Sequence, residues 1–167
     1  SNHRVLRFDN AASKSNGANA DGVLGQPNFT SNTTATTQSG MNFPSGAHIS
    51  GDGSLWVGEV FNHRVLRFDN AASKSNGANA DGVLGQPNFT SNTPTTTQSG
   101  MNQAMGVTTD GNGRLYVAER LNSRVIIFND AANKANGANA DNVLGQPNFT
   151  TGTAGISATA INGGIRS

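Results

Sequence analysis

An all-β fold assembled from repeated units is predicted by three observations. The stretch Asn2–Thr33 recurs letter for letter as Asn62–Thr93, and a diverged copy runs over Asn122–Thr150. Equivalent residues stand 60 positions apart, as in Phe8, Phe68 and Phe128 or Pro27, Pro87 and Pro147. A fixed period of this size marks a repeat architecture. The chain is also rich in turn formers, with 21 Gly and abundant Asn, Ser and Thr, and poor in helix formers; that balance favours short strands joined by polar loops. Finally, short apolar strings such as Val5–Phe8, Leu55–Val57 and Leu115–Glu119 recur in register. A disordered polar chain has no such strings.

One complete unit runs from Gly40 to Thr93. Pro44-Ser45-Gly46 reads as a turn, followed by a first strand at Ala47–Ser50. Gly51-Asp52-Gly53 is a hairpin signature, because Asp-Gly supplies the positive φ that a tight connection needs. Ser54–Glu59 forms the second strand and Arg64–Asp69 the third. Asn70–Asp81 is a long polar segment, and Gly82–Gln86 a fourth strand closed by Pro87. Along the third strand Leu66 and Phe68 share one face, Val65 and Arg67 the other. The next unit repeats this with Gly106–Asp110, Arg114–Glu119, Arg124–Phe128 and Val143–Gln146. Trp56 and Tyr116 are equivalent, as are Glu59 and Glu119.

Four short antiparallel strands per unit make a propeller blade, apolar on both sides because each blade packs on two neighbours. In Gly106–Asp110, Asn112-Gly113, Leu115–Glu119, Asn122, Arg124, Val125 and Phe128 the chain resembles the NHL-repeat β-propellers. The earlier copy carries the same pattern in Gly51–Gly53, Leu55–Glu59 and Asn62-His63. The polar extension, from Phe68 to Thr90 in the second copy, is similar to one in secreted bacterial NHL-type proteins, and it lengthens the blade beyond the usual size. The resemblance implies an extracellular or cell-surface setting and a binding platform.

The expected division is a half-blade with linker over residues 1–40, full blades over 41–100 and 101–150, and a C-terminal linker or tail over 151–167. The first segment holds only a third and a fourth strand, Arg4–Asp9 and the strand before Pro27. About two and a half blades do not close alone, since closed propellers need about four to eight. The expectation is a mature or truncated piece of something longer, or a chain completed by copies of itself through open blade edges, as a ring or a filament.

The formal charge of +1 lacks the basic excess that nucleic acid or an anionic membrane surface selects. Without cysteine there is neither a disulfide nor a thiolate metal site, and no apolar run is long enough to span a bilayer. His3 and His63 are one repeat position and the third copy has Ser123, so His3, His48 and His63 read as polar loop residues rather than zinc ligands. Glu59 and Glu119 could form an acid–base pair; pairing with Arg64 and Arg124, or capping of the turn, accounts for them better. Arg4, Arg64 and Arg124 recur at one repeat position, which favours structural pairing over anion binding. Gly17–Gly22 and Gly77–Gly82 suggest a calcium loop, yet Gly17 and Asn28 stand where an EF-hand needs Asp and Glu. They read as loops whose Asn side chains bond local backbone. No cofactor is expected, and calcium is the one ion left open.

Asn28, Asn88, Asn148 and Asn32 each begin an N-x-T sequon and are glycosylation candidates in a host with that machinery. Otherwise Pro-Asn-Phe-Thr is a turn with Phe as a packing anchor. The functional expectation is a non-catalytic extracellular scaffold or adhesion module. Its partners would be copies of itself, with other surface proteins or glycans further candidates. The alternatives are a peptide- or glycan-binding domain of a longer secreted protein and an NHL-type lyase or hydrolase.

Overall fold

A computed structural model describes residues 1–162. The last residues of the expected tail, 163–167, lie outside the described residues. Among the described residues ten strands form three antiparallel sheets, two of them four-stranded, in an open arrangement consistent with part of a propeller. The first sheet pairs β1 (Val5–Arg7) with β2 (Gly22–Leu24). The second runs β3 (Pro44–Ile49), β4 (Leu55–Glu59), β5 (Arg64–Phe68), β6 (Gly82–Leu84). The third runs β7 (Ala104–Thr109), β8 (Leu115–Glu119), β9 (Arg124–Phe128), β10 (Asn142–Leu144).

One local expectation is corrected. Pro44-Ser45-Gly46 is not a turn but the start of β3, with a bulge between Pro44 and Gly46. Proline is tolerated there because it opens the strand, where its missing N–H breaks no ladder. The long polar segment also contains ordered structure: 3-10 turns at Ala11–Ser13, Ala71–Ser73 and Ala131–Asn133, each entered through a left-handed residue, Asn10, Asn70 or Asp130.

Pleating sends alternate side chains to opposite faces, so each full sheet has a front and a back. Leu55, Val57, Leu66, Phe68 and Val83 form the back of the second sheet and pack with Val5 and Leu24 of the first. Trp56, Val65 and Leu84 form its front and pack against Leu115, Val117, Ile126 and Phe128 of the third. The core is therefore two interlayer clusters rather than one centre.

Each full sheet is tied to the linker before it by a buried ion pair. Arg64 and Glu59 are fully buried, with Nε 2.5 Å from Oε2. The remaining guanidinium donors go to the carbonyls of Phe89, Thr37 and Gly40. Glu59 Oε1 accepts from the Asn42 N–H and from Asn62 Nδ2. The third sheet reproduces the set with Glu119, Asn122 and Arg124. The linker thus satisfies charges that would be costly to leave unpaired. The tail begins along the same path: Ile161 lies against Gly145 where Met101 lies against Gly85.

Candidate functional site

The back of the first sheet is the most distinctive surface. Leu6 and Phe8 are 38% and 43% exposed, whereas the equivalent Leu66 and Phe68 are fully buried. The residues are identical; what differs is their surroundings, since among the described residues the first sheet has neither counterparts of β3 and β4 nor a sheet against its back. Around Leu6 and Phe8 stand Arg4, Ala18, Ala20 and Phe29, lining a shallow concavity. Along the β1 edge, an open groove of ≈ 470 Å³ runs between β1 and the second sheet, lined by Val5, Phe8, Ile49 and Leu55. Ile49 is 66% exposed there. The β1 edge that its counterpart β5 offers to β4 has no partner strand among the described residues.

The internal junctions show how such a surface is met. The Gly77 N–H donates to the Val23 carbonyl, and Asn76 Oδ1 accepts from the Val23 N–H. Gly137 and Asn136 do the same for Val83. The polar extension of one sheet therefore caps the outer edge strand of the sheet before it. Asn76 and Asn136, which precede Gly77 and Gly137, bond across the junction because the outer strand's free backbone groups lie within reach. An uncapped strand edge would template pairing with other chains.

Arginine adds a second tie. Arg7 Nη1 donates to the Lys74 carbonyl at 2.8 Å, and Arg67 Nη1 to the Ala132 carbonyl. Asp9 and Asp69 sit beside these guanidinium groups, 2.9 and 2.8 Å from Nε. The contact is ionic, with no aligned hydrogen bond from Nε. Arg67 also lies over the Trp56 ring, 5.9 Å from its centroid, a cation–π contact. His48 Nε2 reaches Thr109 Oγ1 of the third sheet at 2.8 Å.

The other sequence candidates are dispersed. Asn28, Asn88, Asn148 and Asn32 are exposed. In the first three, the side-chain oxygen accepts from the N–H and hydroxyl of the Thr two residues on, closing an Asx turn. Phe89 and Phe149 are packed against the two clusters, while Phe29 is 40% exposed. Arg4 donates to the Phe29 carbonyl. The Nδ1 atoms of His3 and His63 accept the N–H groups of Phe43 and Gln103. Burial holds His63 below the usual histidine range.

Burial pushes the Glu59 and Glu119 carboxyls up, against the pull of Arg64 and Arg124. Both carboxylates are spent on their arginine and amide donors and face no open cavity. In the Gly17–Gly22 segment, the Asp21 carboxylate binds Lys14 and the Asp9 N–H. Among the described residues no three His, Asp or Glu side chains converge as a metal site. No described helix is long and apolar enough to cross a membrane.

What sequence reading missed is the junction itself, formed by Asn76, Gly77 and the 3-10 turn. The available signal was the recurrence of a polar extension that no blade needs for its own four strands. No protein-family model matches the chain, and no curated protein matches it.

Proposed function

We propose that this chain is a non-catalytic structural scaffold of NHL-type propeller blades. It is of the extracellular or cell-surface kind and assembles with further blades, copies of itself included, through the open edge and back of the first sheet. The observation that carries this reading is the exposure of Leu6 and Phe8, whose identical copies Leu66 and Phe68 are fully buried. Burial of those copies between their own β3–β4 strands and a neighbouring sheet supports the reading that the first sheet's edge and back are met in the same way. Fully burying an exposed Leu or Phe side chain is worth about 1.5–3 kcal/mol, and covering the 38% and 43% of Leu6 and Phe8 still exposed would recover a fraction of that for each.

The test is light scattering over a concentration series. The wild-type chain is expected to gain mass with concentration, and L6E/F8E to stay monomeric with an unchanged circular dichroism spectrum. A wild-type chain that remains monomeric throughout, or an L6E/F8E chain that associates equally, would overturn self-assembly through this surface.

A further inference from the structure

The front of the third sheet is not a repeat of the front of the second. One cross-strand row of the second sheet runs His48–Trp56–Arg67–Gly82, each residue opposite the next. The corresponding row of the third sheet is Thr108–Tyr116–Ile127–Asn142, different at all four positions. The back rows keep their character: Leu55, Val57 and Phe68 recur as Leu115, Val117 and Phe128, and Leu66 becomes Ile126. Change is thus concentrated on one face.

The row of the second sheet is a working unit. Arg67 stacks on Trp56 and reaches the 3-10 turn of the next sheet, and His48 bonds Thr109 there. Gly82 makes room for the guanidinium: a Cβ at that position would stand 3.2 Å from Arg67 Cζ, and one at Gly22 would stand 3.0 Å from Arg7 Cζ. In the third sheet the arginine is Ile127, its carboxylate partner Asp69 is Asn129, and the glycine is Asn142. The three replacements belong together, because without the arginine neither the carboxylate nor the space is needed. The face is also open, with Leu144 52% exposed where Leu84 is 3% exposed, because among the described residues no further sheet packs on it.

We propose that this Arg–Asp–Gly set is the recognition element of blade docking, and that the back of the first sheet is a receptor for a blade face that carries it. The inference rests on reading that back as a docking surface. The receptor parts are in place. Ala11–Ser13 forms the same 3-10 turn that accepts Arg7 and Arg67 at the internal junctions. Asn16 and Gly17 match the Asn76-Gly77 and Asn136-Gly137 pairs that cap a preceding outer strand. The third sheet's own front lacks the set, so a second copy docks there as a mismatched partner, and an arginine-bearing blade is the matched one.

The test installs the set as I127R/N129D/N142G and compares association with wild type by sedimentation. The variant is expected to self-associate at about tenfold lower concentration, one charge-assisted contact being of that size. Adding L6E/F8E should abolish the gain. No gain, a gain that survives L6E/F8E, or an equal gain from I127R alone would overturn the proposal. A monomeric wild type beside an associating variant would sink native self-assembly but uphold this recognition element. The reciprocal variant R67I/D69N/G82N tests the same element inside one chain. Faster hydrogen exchange at the Val83 amide is expected, and unchanged exchange counts against the proposal.

Discussion

At the scale of single residues, two groups carry charge into the protein interior or hold a proton-dependent bond. Arg64 is enclosed with every guanidinium nitrogen bonded. R64A is therefore expected to lose about 3–5 kcal/mol, because it strands the Glu59 carboxylate without its counter-charge; equilibrium urea unfolding measures it. His63 presents the opposite problem. Its Nδ1 accepts the Gln103 N–H, which requires an unprotonated nitrogen, and burial lowers its pKa. The unfolded chain then binds the proton more readily than the folded one. Stability from this group is complete above the ordinary histidine value of about 6.5 and is lost as pH falls through the lower folded value. The denaturation midpoint should drop on moving from about pH 7.5 to about pH 5. In H63S the drop should be smaller, since Ser123 shows that serine occupies this position in the same left-handed conformation. An equal drop in both proteins would assign the effect to other groups. The pairing of Glu59 with Arg64 was readable in the sequence from their strand positions. The histidine–amide bond was not, because its partner lies 40 residues away.

Among elements, the informative unit is the polar extension. Its strand-poor composition identifies it as a loop, and turn chemistry explains the left-handed Asn10 and Asn70 that open its 3-10 turns. Composition does not reveal that the loop reaches the sheet before its own. The consequence is measurable at the outer strands. N136A should release the Val83 N–H and cost about 1 kcal/mol. Exchange of the Val83 amide should quicken while amides within β8 keep their protection. If Val83 exchange is unchanged, the cap is not formed in solution. The misread start of β3 has a similar origin. Proline and glycine are strong turn signals locally, but pairing with β4 supplies a bulged ladder that absorbs both.

For the molecule as a whole, the identical stretches are a natural experiment. F68A removes a ring that is fully buried between two sheets and should cost about 3–5 kcal/mol. F8A removes the same ring from the same local sequence at 43% exposure. In dilute monomer it should cost only about 1–1.5 kcal/mol, since little more than half of the ring is buried. Thermal unfolding of both variants compares them directly, and equal costs would mean that the first sheet's back is covered in the free chain. Period, strand order and the alternation of apolar faces follow from the sequence by itself, because each depends on residues within one unit and on the two-residue repeat of a strand. The burial of a given phenylalanine and the destination of the Asn76 side chain were decided only by tertiary structure. The physical reason is that these properties belong to a pair of neighbouring sheets, and two identical stretches of chain have the same local preferences but not the same neighbours.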